Sequence, residues 1–121
     1  MSTMTVERSV HDPAAVEQKI EETKNRIAAG VKIVTGCEKE MKARKRAFDL
    51  AYAYAYKKAD GSIKDREYEA DIVTMPHREL ADNAEIAYKH ATRTADALEK
   101  ELFAWQAILK SVNAMLGAVR A

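Results

Sequence analysis

Apolar and small residues recur at alternating spacings of four and three along two long segments of the chain. This spacing is typical of helices that bury one stripe of side chains, as in a coiled coil. The first series consists of Val16, Ile20, Thr23, Ile27, Gly30, Val34, Cys37, Met41, Arg44, Phe48, Ala51 and Ala55. The second series consists of Leu80, Ala84, Ala87, Ala91, Ala95, Leu98, Leu102, Trp105, Leu109, Val112, Leu116 and Val119. The two series predict two long amphipathic helices.

Residues that favour the start or the end of a helix stand before and after each of these two series. Asp12 fits an N-cap and is followed by a proline, which suits the first helical position. Gly61 fits a C-terminal cap, and Ser62 opens a Ser-Ile-Lys-Asp stretch that resembles a capping box. Thr74 is expected to cap the last helix, because Pro76 disfavours helix at the residue before it. The predicted helices span residues 13–59, 62–73 and 76–119.

The first long segment has one weak stretch, Gly30-Val31-Lys32-Ile33-Val34-Thr35-Gly36. Its β-branched residues between two glycines are also typical of a short strand. Helix is favoured, because the apolar spacing keeps its phase across the stretch. We expect a kink, or the close approach of another helix, at this point.

The similar lengths of the two long helices and their short connection predict an all-α fold. The expected architecture is an antiparallel helical hairpin with a short corner helix, as one helical domain over residues 12–121 after a flexible tail at 1–11. Because two helices leave apolar surface uncovered, we expect self-association into a homodimeric four-helix bundle or a larger coiled-coil oligomer. The residues expected to form the core or the oligomer seam are Ile20, Ile27, Val34, Met41, Phe48, Leu98, Leu102, Trp105, Leu109, Val112 and Leu116. The apolar residues expected outside that stripe are Leu50, Tyr52, Tyr56, Phe103, Ile108 and Met115.

Charge balance and cysteine content narrow the expected setting. The chain has 20 Lys and Arg against 19 Asp and Glu, so its net charge of +1 gives no overall attraction to nucleic acid or membrane. Cys37 is the one cysteine and falls on the apolar stripe, which favours a buried thiol in an intracellular protein. No apolar run approaches the ~20 residues of a membrane span. We therefore expect a cytoplasmic location and no membrane partner.

Side chains for catalysis or metal binding form no recognisable pattern in the sequence. His11, His77 and His90 stand apart and form no His-x-x-x-His or Glu-x-x-His pair. The four glycines build neither a phosphate-binding loop nor a Gly-x-Ser-x-Gly turn. We expect a protein that is not an enzyme, with no catalytic residue, no metal and no cofactor.

A basic cluster is the best candidate for a binding site. Residues 39–66 hold nine basic and four acidic side chains, and such an excess can contact phosphates. An ordinary solvated helix face, interleaved with acids, is the alternative. The candidate contacts for nucleic acid or an acidic partner are Lys39, Lys42, Arg44, Lys45, Arg46, Lys57 and Lys58.

Tyr52, Tyr54 and Tyr56 alternate with alanines beside this cluster. Residues two apart on a helix point about 200° away from each other, whereas residues four apart share a face. Tyr52 and Tyr56 can therefore share one side, and we expect at least one of the three tyrosines to face solvent or a second chain. Two roles stay open for the tyrosines: packing against the corner helix, for instance on Tyr68 or Ile72, and stacking on bases.

Three stretches carry a resemblance to known proteins: Ala47-Phe48-Asp49-Leu50-Ala51-Tyr52-Ala53-Tyr54-Ala55-Tyr56, then Ala59-Asp60-Gly61-Ser62 with Arg66, and, after alanine-rich repeats, Leu102-Phe103-Ala104-Trp105-Gln106. Over roughly residues 40–115 the chain resembles small helical proteins encoded by tailed bacteriophages, particularly those of actinobacteria. The resemblance implies a cytoplasmic protein made in infected cells, often encoded near replication and recombination genes. It transfers no catalytic residue.

Three functional hypotheses follow from the hairpin, the basic cluster and the resemblance. The first is a non-enzymatic interaction protein, an accessory of DNA replication or recombination that binds a protein or DNA. The second is a structural scaffold or assembly factor that acts through homo-oligomerisation. The third is a small inhibitor of a host enzyme.

Overall fold

The structure, a computed structural model, describes the backbone of residues 12–120 and side chains up to residue 118. The segment 1–11, expected as a tail, lies outside the described residues. Three helices follow one another: α1 (Pro13–Lys58), α2 (Ile63–Val73) and α3 (Met75–Arg120). The long helices α1 and α3 pack against each other, which confirms the predicted all-α hairpin with a short corner helix.

The start of α1 and the turn after it follow local signals in the sequence. The Ala14 amide donates a hydrogen bond of 3.1 Å to Asp12 Oδ1, so the predicted N-cap is confirmed. The helix ends at Lys58, and Gly61 then adopts a φ of +104°. A Cβ atom on Gly61 would lie 3.0 Å from Asp65 Oδ2, so both the backbone and the space require glycine here.

The corner helix α2 begins with a complete capping box. The Asp65 amide donates to Ser62 Oγ at 3.1 Å, and the Ser62 amide donates to Asp65 Oδ2 at 3.3 Å. These two bonds satisfy backbone donors that a helix leaves without internal partners. The box predicted from the sequence is therefore confirmed.

The passage from α2 to α3 differs from the expected one. The helix α3 begins at Met75, one residue before the expected start, because a proline in the first turn removes an amide that needs no helical partner. Thr74 does not cap α3 with its side chain. Its hydroxyl donates back to the Ala70 carbonyl of α2 at 2.6 Å, while its own carbonyl accepts from the Arg78 amide at 3.0 Å.

The glycine-bracketed stretch of α1 is helical throughout, so the strand alternative is wrong. Val31 and Ile33, whose branching suggested a strand, are 63% and 59% exposed. A Cβ atom added at Gly30 or Gly36 would meet no other atom within 4 Å. No helix of the described chain therefore uses these glycines for close approach.

The described residues fall into two compact units, 12–31 with 93–120 and Lys32–Thr92. In the described part of the first unit, Thr23 is buried, and its hydroxyl lies 2.7 Å from the Lys19 carbonyl and 3.2 Å from Glu101 Oε2 of α3. Arg26 Nη1 lies 3.4 Å from the same Glu101 carboxylate. The buried apolar residues here are Val16, Ile20, Leu98 and Val112. Four other predicted seam residues are half-buried: Ile27, Leu102, Trp105 and Leu109. Leu116, expected on the seam, is exposed.

In the unit Lys32–Thr92 the buried residues are small. They are Ala59, Ala70, Thr74, Ala81, Ala84 and Ala91. The predicted α3 stripe is wrong at its beginning, because Leu80 and Ala87 are exposed, whereas Ala81 is buried and Tyr88 half-buried. Small side chains there allow close helix packing, and a regular three-and-four spacing from Ala81 onward fits that packing. The α1 seam residues Val34, Met41 and Phe48 are half-buried.

Candidate functional site

Three of the predicted basic contacts are held by carboxylates. Lys42 Nζ lies 3.2 Å from Glu38 Oε1, and Arg44 Nε lies 2.7 Å from Glu40 Oε1, both one turn away on α1. Lys45 Nζ lies 3.6 Å from Glu85 Oε1 of α3. Their charge is partly balanced inside the unit and is less available to an anionic partner.

The other predicted contacts, Lys39, Arg46, Lys57 and Lys58, are exposed and form no ion pair within 4.0 Å among the residues that the structure describes. Lys58 is turned about 100° around the helix from Lys57. The remaining three share one side of α1 with Lys32, which the sequence analysis left out. We call this side the basic face; it consists of Lys32, Lys39, Arg46, Leu50, Tyr54 and Lys57.

Helical periodicity aligns the cations of the basic face. Lys32, Lys39 and Arg46 are seven residues apart, which places them within about 20° of each other per step and about 10.5 Å apart along the axis. That spacing exceeds the Debye length of ~8 Å at physiological salt, so the cations act largely as separate contacts there and reinforce one another at low salt. The seven-residue spacing is the signal that identifies Lys32 in the sequence.

Two large side chains lie among these cations. Leu50 is 58% exposed and Tyr54 is 57% exposed, and both lie between Arg46 and Lys57 along α1. The exposed position of Tyr54 confirms the expectation drawn from the alternating tyrosines. The basic face therefore offers cations together with an exposed aromatic ring.

Charge is strongly separated within the unit Lys32–Thr92. Residues 32–58 of α1 carry eight basic and three acidic side chains, whereas residues 60–92 carry four basic and eight acidic ones. Two of the three acids in residues 32–58, Glu38 and Glu40, are already paired with Lys42 and Arg44. The near-zero net charge of the whole chain thus conceals a basic α1 segment and acidic α2 and α3 segments.

An aromatic column fixes the opposite side of α1. The Phe48 and Tyr52 ring centroids are 6.3 Å apart, and those of Tyr52 and Tyr56 are 6.5 Å apart, with nearly parallel rings. The Arg78 guanidinium lies 5.3 Å from the Phe48 centroid, and that of Arg66 lies 6.0 Å from the Tyr56 centroid. Because the column faces α2 and α3, the basic face turns away from them.

The column also explains how the corner is covered. Arg78 Nη2 lies 2.9 Å from Asp71 Oδ1, so one arginine contacts both α1 and α2. The expected partners of the tyrosines, Tyr68 and Ile72, are instead 60% and 65% exposed.

Partial burial, reinforced by Asp71 and Glu67, raises the pKa of Tyr52 above its ordinary value of 10.0.

An open groove lies beside this column in the same unit. It measures about 230 Å³ and its walls mix two cations with two carboxylates. Its lining residues are Lys45, Phe48, Asp49, Arg78, Ala81 and Asp82. Balanced charge and an open shape give it no clear preference for one ligand charge.

The other predicted chemistry is placed as follows. His77 and His90 are exposed, Cys37 is half-buried, and His11 lies outside the described residues. Within residues 12–118, no three His, Cys, Asp or Glu side chains gather as a set that could hold a metal ion. No helix in the described part of the chain combines the length and apolar character needed to cross a membrane.

Comparison with known proteins adds nothing to what the basic face indicates about function. No protein-family model, curated protein or solved structure matches the chain.

Proposed function

We propose that this protein is a non-enzymatic DNA-binding accessory protein that contacts the phosphate backbone through the basic face of α1. The observation that carries the proposal is the row of exposed cations Lys32, Lys39, Arg46 and Lys57, none of which forms an ion pair within 4.0 Å among the described residues. Cations of this kind release counterions from DNA and supply sequence-independent affinity.

The arrangement of the face favours the backbone of duplex DNA. Four cations occupy one side of a helix over about 37 Å, and long lysine and arginine side chains adjust to phosphates spaced along a strand. Tyr54 adds an aromatic ring with a hydroxyl that can donate to a phosphate oxygen. The acids of α2 and α3 disfavour DNA elsewhere on the unit, so the protein would bind in one orientation.

The resemblance to phage proteins supports a setting in replication or recombination in infected cells. A protein that neutralises phosphates without chemistry of its own fits an accessory role beside DNA-processing enzymes.

The test compares two triple variants of identical net charge. Lys39→Gln/Arg46→Gln/Lys57→Gln removes three unpaired cations, and Lys42→Gln/Arg44→Gln/Lys45→Gln removes three ion-paired ones. Fluorescence anisotropy with labelled duplex DNA, measured across a salt series, gives the affinity and its salt slope. We expect the first variant to lose about 2.7 from the slope of log K against log salt, at about 0.9 per phosphate contact.

The paired-cation variant is the control. It should retain most of the wild-type slope, because its cations are partly neutralised before DNA arrives. Equal losses in both variants would show that only total charge matters, and the absence of wild-type binding at low salt would reject the proposal outright.

A further inference from the structure

The corner helix α2 exposes almost all of its apolar surface. Its four large apolar residues are between 54% and 70% exposed, and among its residues only Ala70 is buried. The exposed set consists of Ile63, Tyr68, Ile72 and Val73. A helix that leaves its large side chains in water presents a surface suited to a partner.

The same helix is acidic. Asp65 is used in the capping box and Asp71 pairs with Arg78, whereas Glu67 and Glu69 form no ion pair within 4.0 Å among the described residues. These two glutamates flank Tyr68 along the chain. With four acidic and two basic side chains, α2 therefore combines exposed apolar side chains with a net negative charge.

The basic face has the complementary composition. It combines Leu50 and Tyr54, both more than half exposed, with the unpaired cations Arg46 and Lys57. Its length also matches: the step from Arg46 to Lys57 spans about 16 Å on the helix axis, and the eleven residues of α2 span about 16 Å. Apolar side chains and opposite charges of similar extent are what a helix–helix contact between two molecules requires.

We propose that α2 of one copy docks on the basic face of a second copy of this chain. Tyr68 and Ile72 cover Leu50 and Tyr54 of the second copy, and its cations lie opposite the glutamates of α2. Since the two surfaces are different parts of the chain, each copy carries both halves of the contact. The partner is a second copy because the chain itself carries a surface that matches α2 in charge, apolar content and length.

This association goes beyond DNA binding and uses the same basic face. A copy whose face is covered by α2 cannot present those cations to phosphates, so association and DNA binding exclude each other at a given face. Added duplex DNA should therefore lower the average mass of the associated species, after subtraction of the bound DNA.

A charge exchange between the two surfaces tests the contact. Variant one, Arg46→Glu/Lys57→Glu, makes the docking part of the basic face acidic, like α2. Variant two, Glu67→Lys/Glu69→Lys, makes α2 basic, like the face. Sedimentation equilibrium over a concentration series measures association, and circular dichroism checks helicity. We expect each variant alone to associate at least ~10-fold more weakly than the wild type and the equimolar mixture to regain association, because like charges oppose docking and opposite charges restore it.

A pair of apolar substitutions tests the surface independently of charge. Ile72 of α2 and Ile86 of α3 are 65% and 66% exposed, so replacing either with Asn costs the fold equally little. We expect Ile72→Asn to weaken association and Ile86→Asn to leave it unchanged. A wild type that stays monomeric at all concentrations, a mixture that fails to associate, or equal effects of the two Asn variants would overturn the proposal.

The two proposals fail separately. Variant two keeps the whole basic face, so it should bind DNA at least as tightly as the wild type even though it no longer associates. DNA binding without wild-type association would reject only the contact between copies, and association without DNA binding would reject only the proposed function.

Discussion

Glycine is dispensable at position 36 and required at position 61. Gly36 lies inside α1, with open space where a Cβ atom would be, so nothing in the described chain requires glycine there. Gly61 has a positive φ and would bring a Cβ atom against Asp65, whose carboxylate accepts the capping hydrogen bond from Ser62. The same substitution should therefore have opposite effects at the two positions.

We expect Gly36→Ala to raise the free energy of unfolding by about 1 kcal/mol, because alanine loses less backbone entropy in a helix. We expect Gly61→Ala to lower it by about 1–3 kcal/mol, because alanine is strained at this φ and disturbs the capping box. Urea unfolding followed by circular dichroism measures both. A stabilising Gly61→Ala would contradict the role assigned to the turn.

Tyr52 gives the stability a dependence on alkaline pH. Its pKa is raised above 10.0 by partial burial and then by Asp71 and Glu67, so the fold favours the neutral phenol. A group whose pKa is higher in the folded state contributes stability below its unfolded pKa, and this contribution is lost as the pH rises through the folded value. Stability should therefore decline above about pH 10.

Tyr52→Phe should remove this decline, together with the one ionisation whose pKa is raised above the ordinary value of 10.0. Phenylalanine retains a ring between Phe48 and Tyr56, so the column is preserved. Tyrosinate absorbance and urea unfolding at several pH values provide the measurement. Tyr54→Phe is the control, since Tyr54 lies outside the column; a shifted ionisation that disappeared in this control instead would contradict the assignment.

At the scale of the helices, the sequence predicts the caps and ion pairs that form between nearby residues of a single helix. The Asp12 cap depends on neighbours in the chain, and so does the pairing of Lys42 with Glu38 one turn away. Lys39 has no acid four residues before or after it, so its unpaired state could also be read from the sequence. To this extent the basic face could be predicted from the sequence, and the seven-residue spacing would also have identified Lys32.

Contacts between different helices could not be predicted from such local patterns. The pairing of Lys45 with Glu85 and the choice of Ala81 over Leu80 for the core depend on how closely α1 and α3 approach. Hydrophobicity favours Leu80, but close helix packing favours the smaller side chain. The exposure of Tyr68 and Ile72 has the same origin, because Arg66 and Arg78 rather than these residues contact the aromatic column.

At the scale of the whole molecule, one surface serves two proposed partners. DNA and α2 of a second copy both bring negative charge to the basic face, so the protein concentration would set how much of the face remains open to DNA. The aromatic column lies on the opposite side of α1 from the basic face, next to Arg66 and Arg78, so it would orient the face for either partner.

The sequence distance between contacting residues also orders the events of folding. Lys45 and Glu85 are 40 residues apart and Asp71 and Arg78 only seven, whereas Thr23 and Glu101 are separated by 78. Each doubling of a closed loop costs about 0.6 kcal/mol, and contacts between distant residues form more slowly. Pulse-labelling hydrogen exchange should find the amides of residues 32–92 protected before those of residues 12–31 and 93–118. Leu98→Ala, which empties a buried site in the later part, should speed unfolding and leave the folding rate nearly unchanged. The two long helices would then pack together first beside the turn at Gly61 and last at the ends of the hairpin.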